Sequence, residues 1–539
     1  MRFSPFGPLW AASLLLGAAG QAASGKKPAS AGAAGSSAAY HLHRFAQTEG
    51  LAINITVFEK SDRIGGRSLT VNAFDDPLLP FELGASIFVK ANHVLYNATL
   101  AFDLSFSRLT MVQEDAVTAI WDGEEFVFET TEATSWWWDA AKMWWRYGTA
   151  PYYVTKLVDK TVARFMKLYE PPYFPFRSLT ARTHELGLVN ITAVTGEQFL
   201  AQNKINPRFS REIIQAATRV NYASNLAHIH GLETMVSFCT DGAVSVQGGN
   251  WQIFQHMIED SHAAIYRNTS VTSLTFAEKG DRPDSPPKRY LLSTETPSTT
   301  SDGSAARAAE QYPTAFDDVI IASPWQFSNI DASDVADMRI EEIPYTKLHV
   351  TLFASPHALH PDFFKLAPGA TPPSSVYTTL AEEEKPGRGA KGVGRTGFYS
   401  ISTLRTVTNP ATQRREFVYK IFSPDVVTPA FLRDALGLDV PETFTGEGSP
   451  ISWYHPHWFH SYPIVLPRVT FQDPVIGDGL YYTSGIESLI STMETSALMG
   501  MNVARLIVDE ALGNSSGALS SDGQGGLASK KVADAVGEL

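Results

Sequence analysis

Residues 31–68 read AGAAGSSAAYHLHRFAQTEGLAINITVFEKSDRIGGRS, and this stretch decides the fold. Residues 31–47 carry a helical pattern of small residues that includes Gly32 and Gly35. A strand follows, in which Ile53, Ile55 and Val57 alternate and Glu59 closes the run. Helix followed by apolar strand is half of a βαβ unit. Glycines at such a turn let the backbone approach a pyrophosphate at the helix N-terminus. Glu59, 24 residues beyond Gly35, suits the ribose hydroxyls of an adenine dinucleotide. Taken alone, two glycines in an alanine-rich run also fit a flexible linker.

Further pieces of one α/β layer lie along the chain. Phe316–Pro324 reads as a buried strand ending in a turn, Leu480–Tyr482 as a short strand, and Ser491–Leu512 as a long helix. Between them, residues 136–176 and 205–226 have helical spacing, and residues 343–354 and 415–422 look like strands of a second sheet. Ala277–Pro313 and Ala381–Arg395 read as surface loops.

Composition narrows the classes. The chain has 539 residues, 44% hydrophobic and 18% charged, which is globular usage. Its 43 Lys+Arg against 56 Asp+Glu give a net charge of −13, which disfavours nucleic acid as a partner. One cysteine, Cys239, excludes an intrachain disulfide and any multi-cysteine metal site. It is expected to be a small buried hydrophobe.

The start, MRFSPFGPLWAASLLLGAAGQAASG, has Arg2 as its only charge, then an apolar run from Pro8 to Ala19, then small residues. That order predicts a signal peptide over residues 1–23 and a secretory route to the lysosome, the vacuole or the exterior. The apolar run is shorter than a membrane span, and no later stretch is long and apolar enough to be one. Of five N-x-[ST] sequons, Asn97, Asn190, Asn268 and Asn514 are candidate glycosylation sites. Asn54 falls in the predicted strand and is not expected to be modified.

Past Glu59, Gly65-Gly66-Arg67 stands where flavin oxidases of the amine-oxidase type carry a second glycine pair. There the arginine meets the pyrophosphate. Gly84-Ala85-Ser86 offers small residues against which an isoalloxazine ring can lie. Gly485 and Glu487 come before Met493 and Glu494, which open a predicted helix; such a helix N-terminus, aimed at a flavin N1/C2 oxygen, would stabilise the reduced ring. The runs VFEKSDRIGGRS, ELGASIFV, RVNYASNLAHIHGL, VQGGN and YYTSGIESLISTMETSA together resemble the prenylcysteine oxidases, also called prenylcysteine lyases. The resemblance covers about residues 31–510. The run Arg219–Tyr222 and the segment from Gly485 to Glu494 are its more specific parts.

The resemblance implies an α/β fold: a Rossmann-like FAD-binding domain built from discontinuous segments, and a mixed substrate domain with helices and a second sheet. The boundaries expected are 24–110, 231–325 and 475–512 for the first, and 111–230 and 326–474 for the second. A disordered tail is expected over 513–539. The implied activity is FAD-dependent, oxygen-consuming cleavage of S-prenylcysteine to a prenyl aldehyde, cysteine and hydrogen peroxide. The flavin accepts the electrons, so no side-chain nucleophile is nominated as catalytic. The alternatives are an amine oxidase of the same fold and a secreted, non-catalytic homologue with impaired FAD binding.

The last alternative has a specific motive. The residues before the first glycine, Ser24–Ser30, contain Lys26, Lys27 and Pro28 but no Val, Ile or Leu. The central strand of the dinucleotide fold is therefore expected to be missing or replaced.

Several other residues attract attention. Tyr222 and Tyr482 are candidate substrate contacts, and Tyr481 and Tyr482 can equally be core. Trp136–Trp138, Trp144 and Trp145 suit a prenyl-binding wall or a peripheral membrane contact, though packing core is the more frequent use of such residues. His455, His457 and His460 sit in a run broken by Pro456 without a nearby acid, and are read as a loop of aromatics; no metal site is expected. Lys347 and His349 alternate on a predicted strand, where a water-holding role competes with plain surface positions.

Overall fold

The computed structural model describes residues 10–16, 31–108, 117–131, 136–239, 242–277, 289–299, 305–337 and 339–513. Its first sheet has six strands, in the order Val475–Gly477, Leu480–Tyr482, Asp318–Ile321, β1 (Trp10–Leu16), β2 (Ile53–Glu59) and Ala264–Tyr266. All neighbours are parallel except the outer pair from the C-terminal region.

The strand expected to be missing is thus present. Trp10–Leu16 fills the central slot, with Ser13 opposite Thr56 on one side and Val319 on the other. The run read as the core of a signal peptide has the apolar character that a central parallel strand also needs. Residues 17–30, between it and the turn that begins at Ala31, lie outside the described residues.

Side chains alternate between the two faces of this sheet. Val57 and Ile320 point into a core shared with helices; Phe58, Val319 and Ile321 point into a core on the other side. That second core is roofed by a three-stranded antiparallel sheet, Ser270–Phe276, Tyr290–Thr299 and Ala305–Gln311. Much of the loop expected over 277–313 is therefore strand. Its serines, threonines and alanines carry too little apolar contrast for the period-2 pattern to show.

The helices that shape the site are α1 (Ala33–Glu49), α2 (His93–Ala101), α3 (Trp136–Tyr147), α4 (Ala150–Phe165) and α5 (Met493–Ala511). A second, seven-stranded sheet runs Trp453–Pro463, Tyr345–Ser355, Arg415–Ser423, Ser400–Thr408, Ser375–Thr378, Val117–Trp121 and Phe126–Thr131. Its edge strand is the histidine-rich run expected to be a loop. Pro456 is tolerated there, opposite Thr351, because an edge strand has one unpaired side. Among the described residues, no helix is long and apolar enough to cross a membrane. The expected tail, with Asn514, lies outside the described residues beyond Gly513.

Removal of residues 1–23 takes away both ladders at the sheet centre and strands buried N–H and C=O groups on two neighbours. Each unpaired group costs about 1–3 kcal/mol. The truncated chain should melt well below the full chain in a thermal scan. Equal melting temperatures contradict a structural role for β1.

Candidate active site

A cavity of about 1000 Å³ opens between the dinucleotide turn, the seven-stranded sheet and the helical layer. At one end lies the start of α1, where Gly32, Ala33 and Ala34 line the wall. The helix has no side-chain cap and no acid in its first turn, so its N–H groups and dipole favour an anion. Gly65 and Gly66 face it with φ of +124° and +60°. A Cβ on Gly65 would stand 2.7 Å from the Ser68 carbonyl and 2.9 Å from Trp251 Cβ, so only glycine fits. The Gly65 N–H donates to the Ala31 carbonyl at 2.7 Å, locking one glycine loop to the other.

Glu59 is fully buried at the end of β2. It accepts from the Ser61 N–H at 2.7 Å and from the Ala31 N–H. It therefore fastens the turn directly; it does not line the cavity. Gly35 is likewise buried within α1 and off the cavity wall. Glu59→Ala should leave buried donors unpaired, at about 1–3 kcal/mol each, and lower retained flavin. The check is the flavin-to-protein absorbance ratio after gel filtration, and an unchanged ratio removes Glu59 from cofactor retention.

Arg67 lines the cavity but is committed to partners of its own. Its Nη2 pairs with Glu487 Oε2 at 2.5 Å, and Nη1 donates to the Ser461 carbonyl at 2.8 Å. Tyr345 also donates to Glu487 Oε2, at 3.1 Å. Burial works against the Arg67 charge, but Glu487 outweighs it and holds the guanidinium firmly protonated. The pair ties the second glycine loop to the C-terminal segment.

Gly84, Ala85 and Ser86 line the middle of the cavity. The space beside Gly84 is taken by the chain itself, since a Cβ there would lie 2.7 Å from Phe459 Cζ. Lys420 comes in from strand Arg415–Ser423, buried, and donates to the Glu82 carbonyl at 2.7 Å and Ser86 Oγ at 3.1 Å. Burial lowers its pKa, and the nearby Glu82 opposes that shift. Glu82 is pushed up by burial; its Oε1 accepts from the Asn250 N–H at 2.6 Å and its Oε2 has no partner among the described residues. Lys420 was not singled out from the sequence. The signal was there: a lone cation inside the run Phe417–Phe422 that otherwise reads as a buried strand.

At the C-terminal end, Ser484, Glu487 and the first turn of α5 line the cavity, including Met493 and Glu494. Gly485 does not; its open side faces the Gln472 carbonyl, 2.5 Å from a built Cβ. Glu494 accepts from the N–H groups of Val94 and Leu95 at 2.8 and 3.0 Å, closing the start of α2. Burial still pushes it up to about 7.

Of the two tyrosines expected at the substrate, Tyr222 lines the cavity, edge-on to Tyr462 at 5.5 Å. Tyr482 does not reach it. Its hydroxyl accepts from the Trp325 N–H at 3.2 Å and its ring packs in the core beneath the three-stranded sheet. Lys347 lies over the Trp458 ring at 4.4 Å and His349 is buried in its strand, both off the cavity wall. His457 and His460 do line it, as does Cys239. No cluster of metal-ligating side chains occurs among the described residues. Asn97, Asn190 and Asn268 are exposed.

The donor set fits a dinucleotide. The uncapped α1 start and the glycine cradle suit a pyrophosphate. Ser68 Oγ, Ser461 Oγ and His460 Nδ1 are buried polar atoms of cavity-lining residues without a protein partner among the described residues. Such atoms ask for a ligand or water.

Fold and site together define a flavoprotein oxidoreductase, and the cofactor is FAD. Residues 130–518 match the family described as prenylcysteine lyase, and residues 31–98 match an NAD(P)-binding Rossmann-like domain. The chain belongs to the prenylcysteine lyase family. It is 27% identical to farnesylcysteine lyase of Arabidopsis thaliana over 494 residues, 88% of this chain and 86% of that one. To prenylcysteine oxidase 1 of Bos taurus it is 27% identical over 497 residues, 90% and 88% of the two chains. Among solved structures, a fatty acid isomerase from P. acnes aligns with a TM-score of 0.51 at 12% identity, covering 94% of this chain and 99% of that one, a likeness of fold alone.

The buried carboxyls give the fold a pH signature. Burial raises Glu233 and Asp318 to about 8 and Glu494 to about 7. Above pH 6.5 the folded chain keeps protons that the unfolded chain has released, so stability falls as pH rises through 7 to 8. Buried His230 and half-buried His457, held near 4, act the other way only below 6.5. The melting temperature should drop between pH 6.5 and about 8.5, and Glu233→Gln should shallow that slope. A flat wild-type profile contradicts it.

Proposed function

We propose that the chain is an FAD-dependent oxidase that cleaves the thioether of S-prenylcysteine, farnesyl or geranylgeranyl. The observation that carries this reading is the make-up of this cavity. One part is the glycine cradle; another is apolar, with Phe128, Val162, Phe165, Met166 and Ile213 on its wall. An isoprenoid chain buried there gains about 0.8 kcal/mol per methylene.

The overall step takes the thioether, water and oxygen to a prenyl aldehyde, cysteine and hydrogen peroxide. The C–S bond breaks, a C=O bond forms at the prenyl α-carbon, and the two electrons end on oxygen. FAD, when bound, supplies the two-electron acceptor that oxygen then reoxidises. The chain's own residues bind, orient and exclude water. Lys420 has spent two N–H groups on Glu82 and Ser86 and has a third to offer a water or a substrate carboxylate. The apolar wall keeps other water away from the prenyl carbon.

The carboxylates that line the cavity, Glu487 and Glu494, are committed to Arg67 and to the start of α2.

A secretory, lysosomal, vacuolar or extracellular location belongs to the same proposal. Exposed sequons support it. Flavin-loaded protein given S-farnesylcysteine in air should release peroxide and free thiol in equal amounts. Peroxide from a primary amine, with none from the thioether, overturns the reading.

A further inference from the structure

We infer that the corner between α3 and α4 is a docking surface for an anionic lipid bilayer. Trp144 and Trp145 are 63% and 92% exposed, and Tyr152 and Tyr153 60% and 57%. These four fall within ten residues of one another, whereas the other exposed large apolar side chains among the described residues are scattered. Tryptophan and tyrosine suit a membrane interface because an apolar ring and a polar tip are satisfied at the headgroup level together.

The corner is held in place from behind. Tyr147 Oη and Arg146 Nε both donate to buried Glu212, each at 2.8 Å, and Gly148 with φ of +63° turns the chain into α4. The aromatic tips are thus displayed by a fixed scaffold.

Charge selects the occupant. Residues 142–167 carry six cations and one acid in a chain whose net charge is −13, and of the six Arg146 is paired with Glu212. Lys156, Lys160 and Lys167 are exposed, with Lys156 Nζ 5.7 Å from the Tyr152 ring centre. A cationic patch attracts anionic headgroups and repels a second copy of itself across a twofold axis.

The opposite face of α4 links this surface to chemistry. Val162 and Phe165, on the same helix as Tyr152 and Tyr153, form part of the apolar cavity wall, with Met166 just past the helix end. One helix therefore has its start at the proposed bilayer and its end at the site where an isoprenoid would lie. The use of the surface, taking up a lipid-soluble substrate, rests on the proposed function; the binding itself does not.

Flotation of the full chain with vesicles tests it, using phosphatidylcholine alone and with roughly 30 mol% phosphatidylserine. The wild type should float with the anionic vesicles, and added salt should weaken this. Trp145→Ser with Tyr153→Ser should lose about tenfold in vesicle affinity, a change of about 1.4 kcal/mol. Lys156→Glu with Lys160→Glu should lose binding to anionic vesicles selectively. These positions are exposed, so melting temperature and turnover of dispersed S-farnesylcysteine should hold.

Equal flotation of wild type and aromatic variant overturns the inference, as does failure of the wild type to float. Dimerisation that the aromatic variant abolishes, without vesicle binding, assigns the surface to a second copy and also overturns it. Flotation without peroxide from the thioether leaves the surface standing and removes the substrate reading.

Discussion

Gly500 of α5 lies on the backbone of α1, and the site depends on that contact. A Cβ at Gly500 would stand 2.9 Å from the Ala38 nitrogen and closer still to the Ala34 carbonyl. Ser37 Oγ reaches across to the Ala497 carbonyl at 2.6 Å. Without a side chain at the crossing, the first turns of both helices converge on one cavity. The α1 start offers donors to a pyrophosphate while the α5 start forms the wall some 460 residues later in the chain. From that crossing outward, Asn502 exchanges hydrogen bonds with the Phe176 backbone at 2.7 and 2.8 Å, which fastens the helical layer to the same helix.

The cavity interior is built from charges that are mostly satisfied by the chain. Arg67 and Glu487 neutralise one another, and Glu494 is spent on α2. Lys420 and Glu82 share a buried environment that disfavours charge on both. Breaking a buried pair by deleting one partner leaves the other exposed to desolvation, which is the expensive case. The arrangement favours a substrate that is largely uncharged at its reacting end.

Much of the dinucleotide half was legible because its signals are local. Gly32, Gly65 and Gly66 sit at turns where backbone approach excludes a side chain, and such turns leave short motifs in a sequence. Glu59 was found for its position at a strand end, although its role is to hold the Ala31 turn together. Gly485 lies off the cavity wall although its neighbour Ser484 is on it, and Tyr482 turns its ring into the core beneath the three-stranded sheet, placements that only the folded chain decides. Lys420 was missed because its position depends on strand pairing in the second sheet, which spacing along the chain does not encode. Trp10–Leu16 was not read as a strand because a leader and a central parallel strand have the same apolar composition, and only long-range pairing separates them.

The Gly500 crossing also sets an order of events during synthesis. The turn at Ala31 to Gly66 leaves the ribosome early, yet the wall that faces it, residues 484–496, arrives close to the end of the chain. The first-made strands of the six-stranded sheet wait for Asp318–Ile321 and Leu480–Tyr482 before their edges are paired. Contacts of such separation close slowly. A complete flavin pocket therefore needs both ends of this separation, and none exists until residues 484–496 have been made.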